Sequence, residues 1–128
     1  MGKTLLVEPI EPSVEFGEDI LAKLDAAKYP LSVALWLKEE AKWTLVIGTS
    51  LYDKKGPKEA YHRLLAALSV EGPVVLGRLP IRLEGNQHPL IKALRKIFGR
   101  TGSVAGMRLG GHSIGGQWID DGYVYRIK

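Results

Sequence analysis

The hydrophobic positions of this chain recur with two periods, one typical of helices and one typical of strands. Three segments carry apolar residues on one face at helical spacing, which predicts amphipathic helices. They span residues 14–28, 57–71 and 89–98. Ser13 is placed to cap the first helix, although Gly17 weakens its first turn and moves the expected start toward Glu18. Prolines open the other two helices, and Gly99 ends the last one.

Alternating apolar and polar positions predict strands between the helices. Residues 33–38 and 43–50 are apolar on both faces and are joined by a polar break, which favours an antiparallel hairpin inside a sheet covered by helices. Residues 74–84 alternate around Pro80, which favours a sheet edge or a bend. The stretch from residue 104 to residue 128 predicts two or three short strands separated by glycines.

The order of these elements predicts an α+β fold. We expect a single domain over residues 14–128, with a mostly antiparallel or mixed sheet of five to six strands and three helices. Residues 1–13 contain Pro9 and Pro12 and are expected to form an extended N-terminal arm. The length of 128 residues suits one domain with its own core.

Composition narrows the classes of function that are open to this chain. It contains no cysteine, which excludes disulfides, thiolate zinc sites and cysteine nucleophiles. No stretch approaches the roughly 20 apolar residues that cross a bilayer, and no signal-peptide core follows the N-terminus. We therefore expect a cytoplasmic protein without a membrane partner, and no cofactor motif is present.

One short motif resembles that of serine hydrolases. Residues 111–115 spell G-x-S-x-G, the pattern of a nucleophile elbow, with Ser113 at its centre. An elbow needs a helix directly after the serine, whereas Gly115-Gly116 is a poor way to begin one. The triad histidine also follows the serine in that family, and all three histidines of this chain precede Ser113. We predict that this motif is a glycine-rich connection in a β-sheet.

Two further fragments resemble catalytic patterns but lack their context. Gly2-Lys3-Thr4 matches the tail of a P-loop, without the glycine-rich loop and the preceding strand that hold phosphates. Asp25 with Glu40 and Lys42 spells the D…E-x-K pattern of metal-dependent nucleases. Because Asp25 falls on a predicted helix and the other two fall in a predicted turn, we expect these side chains to be far apart.

The remaining candidates for metal binding or acid–base chemistry are carboxylates and histidines. Asp120 and Asp121 form a pair of the kind that binds magnesium, but Asp121-Gly122 between apolar segments favours a hairpin turn or a polar bulge in one longer strand. His62, His88 and His112 lack the spacing of metal ligands, and His88 precedes Pro89 at a capping position. We expect no metal site and no catalytic residue.

Positive charge is concentrated in the second half of the chain. The net charge is −1 over residues 1–64 and +5 over residues 65–128, and Glu84 is the only acid between residues 78 and 108. If the strand and helix of this region are neighbours, their cations converge beside the helix start, where N–H groups favour an anion. The candidate polyanion site comprises Arg78, Arg82, Asn86, His88, Lys92, Arg95, Lys96, Arg100 and Arg108.

These residues favour a small non-enzymatic binding protein that contacts nucleic acid or another phosphate-bearing ligand through phosphates, without base readout. Trp36, Trp43, Tyr123 and Tyr125 fall in predicted strands, where we expect sheet packing. Two alternatives stay open. An exposed edge, in residues 74–84 or the C-terminal strand, would make a protein–protein or homo-oligomerisation module. A small metal-dependent nuclease or phosphodiesterase would use Asp53, Asp120 or Asp121.

Overall fold

A computed structural model describes residues 13–69, 80–100 and 103–128 of the chain. The helices are α1 (Val14–Ala26), α2 (Ser50–Lys55), α3 (Pro57–Ala67) and α4 (Pro89–Phe98). The strands are β1 (Val33–Glu39), β2 (Lys42–Gly48), β3 (Ile81–Glu84), β4 (Arg108–Leu109), β5 (His112–Ile114), β6 (Gln117–Ile119) and β7 (Gly122–Ile127). The predicted arm, apart from Ser13, and residues 74–79 of the predicted third strand lie outside the described residues.

The strands form a mixed sheet of five with the order β3-β2-β1-β7-β4, and β5 pairs with β6 in a separate two-stranded sheet. β2 and β3 run parallel, and the remaining neighbours in the larger sheet are antiparallel. The parallel pair follows from the chain path, because α2 and α3 intervene between β2 and β3 and parallel neighbours need such a crossover. The predicted α+β class with a mixed sheet is confirmed.

The predicted hairpin at the centre of the chain is confirmed. β1 and β2 pair from Val33 opposite Gly48 to Glu39 opposite Lys42. A two-residue turn joins them, and its residues Glu40 and Ala41 both have positive φ, at 50° and 67°. Positive φ at both positions is the geometry of a tight turn whose twist matches that of the flanking strands. The hairpin occupies the interior of the sheet, as its two apolar faces predict.

Each face of the sheet is covered by its own layer. Ala34 and Trp36 of β1 face a core that they share with α1, α2 and α3. Val33, Leu35 and Leu37 face the opposite way, into a second core formed with α4 and the β5–β6 hairpin. The alternation of β1 side chains therefore separates the molecule into three layers, with the sheet in the middle.

The structure has four helices in its described residues where three were predicted. The additional one, α2, is capped by Thr49, whose buried side chain accepts a hydrogen bond from the N–H of Leu51. The apolar, β-branched stretch before it predicts a strand as far as Ser50, and six helical residues are too few to show a helical period. Gly56, with φ of 89°, separates α2 from α3.

The connection at Asp120-Asp121 also differs from the prediction. We expected a hairpin turn or a bulge within one strand, but β6 and β7 belong to different sheets. The two aspartates form the link by which the chain leaves the β5–β6 hairpin and enters the larger sheet. The sequence pattern correctly predicts a strand on each side of the two aspartates, because that pattern is local. The sheet that each strand joins depends on packing between layers, which the pattern does not contain.

Candidate functional site

The G-x-S-x-G motif lies in the β5–β6 hairpin, which confirms the prediction of a glycine-rich connection in a sheet. Ser113 is in β5, is exposed, and pairs with Trp118 of β6. Gly115 and Gly116 make the turn between the strands with φ of 61° and 80°. The strand β6 follows in place of the helix that an elbow requires.

The other catalytic fragments stay apart as expected, where the structure describes them. Asp25 on α1 forms a bidentate ion pair with Arg126 of β7, with N···O distances of 2.9 and 2.7 Å. That guanidinium holds the pKa of the Asp25 carboxyl below its usual range. Glu40 lies in the β1–β2 turn and Lys42 directly follows it. Gly2-Lys3-Thr4 lies outside the described residues.

The aspartates named for a metal-dependent enzyme serve structural contacts. Asp53 of α2 accepts from the N–H groups of Asn86 and Gln87, at 2.6 and 3.2 Å. Asp120 accepts from the indole of Trp118, and Asp121 accepts from Arg108 and from the N–H of Gly122. Over the part of the chain that the structure describes, no three histidine or acidic side chains group closely enough to hold a metal ion.

The start of α4, where the sequence predicts an anion, is held by the side chains of the protein itself. Asp53 accepts hydrogen bonds from the N–H groups of Asn86 and Gln87, and the N–H of Leu90 donates to Nδ1 of His88 at 3.2 Å. The capping role expected of His88 is therefore confirmed. Gly85 permits the Asp53 contact, because a Cβ at that position would overlap the carboxylate. The carboxylate of Asp53 thus takes the place expected for an external anion.

Arg82 belongs to a half-buried network on the α4 side of the sheet. Its guanidinium makes a bidentate ion pair with Glu39, and its Nε lies 3.0 Å from Glu84 Oε2 in ion-pair rather than hydrogen-bond geometry. Gln117 donates to Glu39 at 3.2 Å, and Nε2 of His88 lies 3.8 Å from Glu84. Burial lowers the pKa of Arg82, but the two carboxylates outweigh it and raise that pKa overall. The charge of Arg82 is therefore already neutralised inside the fold.

The outer side of α4 carries the remaining cations of the candidate site. Leu90, Ile91 and Leu94 are buried against the sheet, whereas the opposite side is exposed and contains no acid. Within the described residues, no carboxylate forms an ion pair with the two lysines or with the arginine that follows the helix. Together with Arg95, which is exposed on the same side of the helix, these three residues form a surface that we call the α4 basic face: Lys92, Arg95, Lys96 and Arg100.

Arg95 connects this face to a cleft at one end of the sheet. Its Nε donates to the main-chain oxygen of Lys128 at 2.8 Å. The cleft has a volume of about 400 Å³ and opens where β2 and β3 end and β1 begins. Two of its lining residues are cations, Arg95 and Lys128, and its other polar lining residues are Ser32 and Asn86 in loops and Ser50 at the start of α2.

A second cleft, of about 320 Å³, lies between the end of α1 and the helix α3. Its lining contains two cations, Lys28 and Arg63, and Arg63 is paired with Glu59 at 2.7 Å. This cleft is on the opposite face of the sheet from α4. Because a carboxylate neutralises one of its two cations, it suits an anion less well than the first cleft.

The structure separates the predicted site into distinct parts. Lys92, Arg95, Lys96 and Arg100 form one exposed surface, and Asn86 lines the adjoining cleft. Arg82 and His88 lie in the internal network, and Arg108 pairs with Asp121 at 2.7 Å. Arg78 lies outside the described residues.

The structure also adds residues to the site that sequence reasoning missed. Lys128 lies beside Arg95, and Trp118 is 60% exposed. Ile97 of α4 is also exposed. Alternation across the Gly115-Gly116 turn places Trp118 on the opposite side of the hairpin from Ile114 and Ile119, but only the packing of the hairpin decides which side faces water.

The two sheet edges proposed for partner binding have different outcomes. β7 lies between β1 and β4, so it is not an edge strand where it begins, but the two-residue β4 pairs only with Gly122 and Tyr123. Among the strands that the structure describes, β3 is an edge of the sheet, as Pro80 predicts, and the hydroxyl of Tyr61 accepts from the N–H of Leu83 at 3.0 Å. A donor that already has a partner offers less to an added strand.

Comparison with known proteins adds no relative to this picture: no protein-family model, curated protein or solved structure matches the chain. Among the described residues there is no helix of the length and apolar character needed to span a bilayer. What supports a function is therefore the chemistry of the surfaces described above.

Proposed function

We propose that this protein binds a polyanion through the α4 basic face, by contacts to phosphate groups and without chemical turnover. The observation that carries this proposal is a helix whose outer side has cations and no acid, whereas Arg82 and Arg108 of the same region are already paired with carboxylates. Surface cations without a carboxylate partner are available to an external anion, and their binding releases the counterions condensed on that anion.

The surroundings of α4 support phosphate contacts over base readout. Lysine and arginine side chains on an exposed helix reach backbone phosphates without a fixed geometry, and such contacts carry no sequence information. Lys128 and Arg95 extend the positive surface into the cleft at the end of the sheet. We expect a Kd of roughly 1–100 µM at physiological salt, the range of binding that depends on phosphates alone.

The test is a comparison of two charge-reversal variants with the same net charge. Lys92/Lys96→Glu changes the α4 basic face, and Lys54/Lys58→Glu changes two exposed lysines on the helices that cover the opposite face of the sheet. Binding of a fluorescein-labelled 12-nucleotide oligothymidine is measured by anisotropy. We expect the first variant to bind roughly tenfold or more weakly, and the second to stay close to the parent.

The outcomes separate the candidate functions. Equal loss in both variants would mean that binding follows net charge and has no defined surface, which contradicts the proposal. Cleavage of the oligonucleotide with Mg²⁺ or Mn²⁺ would instead favour the metal-dependent enzyme. Absence of binding, with dimers in sedimentation at every salt concentration, would favour the oligomerisation module. Circular dichroism of each variant tests whether the fold is retained.

A further inference from the structure

Trp118 is an aromatic side chain that packing does not explain. It is 60% exposed, whereas Trp36 and Trp43 are buried in the core, as their strand positions predict. A tryptophan on the surface leaves a large apolar face in water, which costs free energy until a bound ligand covers that face. The indole is therefore a candidate contact for a ligand.

The position of the indole is defined by the hairpin that carries it. Its Nε1 donates to Oδ1 of Asp120 at 2.9 Å, while the neighbouring Ile119 is buried and anchors β6 to the second core. An aromatic ring whose orientation is fixed by a hydrogen bond loses little conformational entropy when a flat group stacks on it. The side chain is thus oriented before any ligand arrives.

The hairpin and α4 belong to the same layer of the molecule. Ile114 and Ile119 share one core with Leu90, Ile91 and Leu94, so both elements turn their opposite sides to solvent in the same direction. The turn of the hairpin touches the start of α4, because a Cβ on Gly115 would lie 2.6 Å from the carbonyl oxygen of Pro89. Lys92 is three residues further along the helix, about 5 Å by helical rise.

We propose that Trp118 and the α4 basic face form one site for single-stranded nucleic acid. Phosphates contact the cations of α4, and an unpaired base stacks on the indole of Trp118. This inference rests on the proposed function and narrows its ligand. A single strand is favoured because its bases are free to stack on an aromatic side chain, whereas the bases of a duplex are already stacked on each other.

The test uses four polyanions and two substitutions of Trp118. The polyanions are 12-nucleotide oligothymidine, a 12-base-pair duplex, poly-glutamate and inorganic polyphosphate, and the last two have charge but no bases. Trp118→Leu is expected to weaken oligothymidine binding roughly 5- to 100-fold, the range for loss of one stacked base, and to leave polyphosphate binding unchanged. Trp118→Phe, which keeps an aromatic face, is expected to retain most of the affinity.

Tryptophan fluorescence gives an independent readout. Because the other two tryptophans are buried, quenching by an added ligand reports mainly on Trp118. We expect oligothymidine to quench the emission of the parent protein and polyphosphate to leave it nearly unchanged. The melting temperature of Trp118→Leu is expected to match that of the parent, since the side chain is exposed.

The failure of this inference is distinct from failure of the proposed function. If Trp118→Leu binds oligothymidine as tightly as the parent while Lys92/Lys96→Glu does not, polyanion binding stands and the stacking site is wrong. Tighter binding of the duplex than of oligothymidine would also overturn it. If poly-glutamate binds more tightly than every nucleic acid, the surface recognises an acidic polypeptide and this inference is wrong.

Discussion

Gly17 decides, as a single residue, how the first helix meets the sheet. It is buried in the first turn of α1, and a Cβ there would overlap the phenol ring of Tyr125. The hydroxyl of Tyr125 donates to the carbonyl oxygen of Val14 at 2.8 Å and accepts from Trp36 Nε1 at 3.0 Å. The expectation that this glycine moves the helix start toward Glu18 is wrong, because these contacts and the Ser13 cap hold the first turn.

We predict that Gly17→Ala lowers the free energy of unfolding by about 1–3 kcal/mol, as overpacking does. Helix propensity alone would raise it by about 1 kcal/mol, because alanine is the better helix former. Urea unfolding followed by circular dichroism measures the difference. The sign of the change therefore distinguishes the close contact from propensity.

The control for this prediction removes the crowding side chain. In a Tyr125→Ala background, space is available for the new methyl group, so Gly17→Ala should cost less or become stabilising. This non-additivity is expected for residues in contact. A stabilising Gly17→Ala in the parent protein would contradict the close approach of α1 to Tyr125.

At the scale of elements, the short helix α2 has a role larger than its length. It places Asp53 against the β3–α4 loop, where the carboxylate accepts from two N–H groups. The N–H groups before a helix lack partners within the helix, so this contact fixes the entry of α4. The sequence pattern predicts β1, β2, α1, α3 and α4 because their periods are long enough to recognise. It misses α2, and with it the residue that holds the next helix.

We predict that Asp53→Ala lowers the free energy of unfolding by about 1–2 kcal/mol, since two hydrogen bonds to a charged acceptor are lost. Asp53→Asn keeps one acceptor oxygen and should lose less. Thermal or urea unfolding monitored by circular dichroism measures both variants, with Asp19→Ala on the exposed side of α1 as a matched surface control. If Asp53→Ala and Asp19→Ala have equal effects, the loop contact contributes nothing to stability.

At the scale of the whole molecule, the excess of positive charge in the second half of the chain does not form one patch. Arg82 is neutralised by Glu39 and Glu84, and Arg108 pairs with Asp121. Glu39 and Asp121 lie 43 and 13 positions away along the chain from these arginines, so the count of cations between residues 78 and 108 overstates the charge that is left without a carboxylate partner. The α4 basic face is the exposed remainder.

This distribution predicts the salt dependence of binding. If all four cations of the α4 basic face contact phosphates of a single strand, a plot of log Kobs against log salt concentration has a slope of about −3, from roughly 0.7 for each contact. Lys96→Gln should reduce the magnitude by about 0.7, and Lys54→Gln on α2 should leave it unchanged. Anisotropy titrations between 25 and 200 mM KCl, over which a slope of about −3 changes the affinity by roughly 300- to 500-fold, provide the measurement. A slope near zero would contradict phosphate contacts.

The sequence by itself determined the features that depend on neighbours along the chain. Helical and alternating periods specify α1, α3, α4 and the β1–β2 hairpin, and the glycines after Ser113 exclude an elbow, because such patterns act over a few residues. Tertiary structure alone decided which charges stay free and which aromatic side chain faces water. Arg82 meets Glu39 across 43 positions and Asp53 meets Asn86 across 33, and Trp118 is exposed because its hairpin packs by the other side. These outcomes depend on which layers pack together, and no local pattern carries that information.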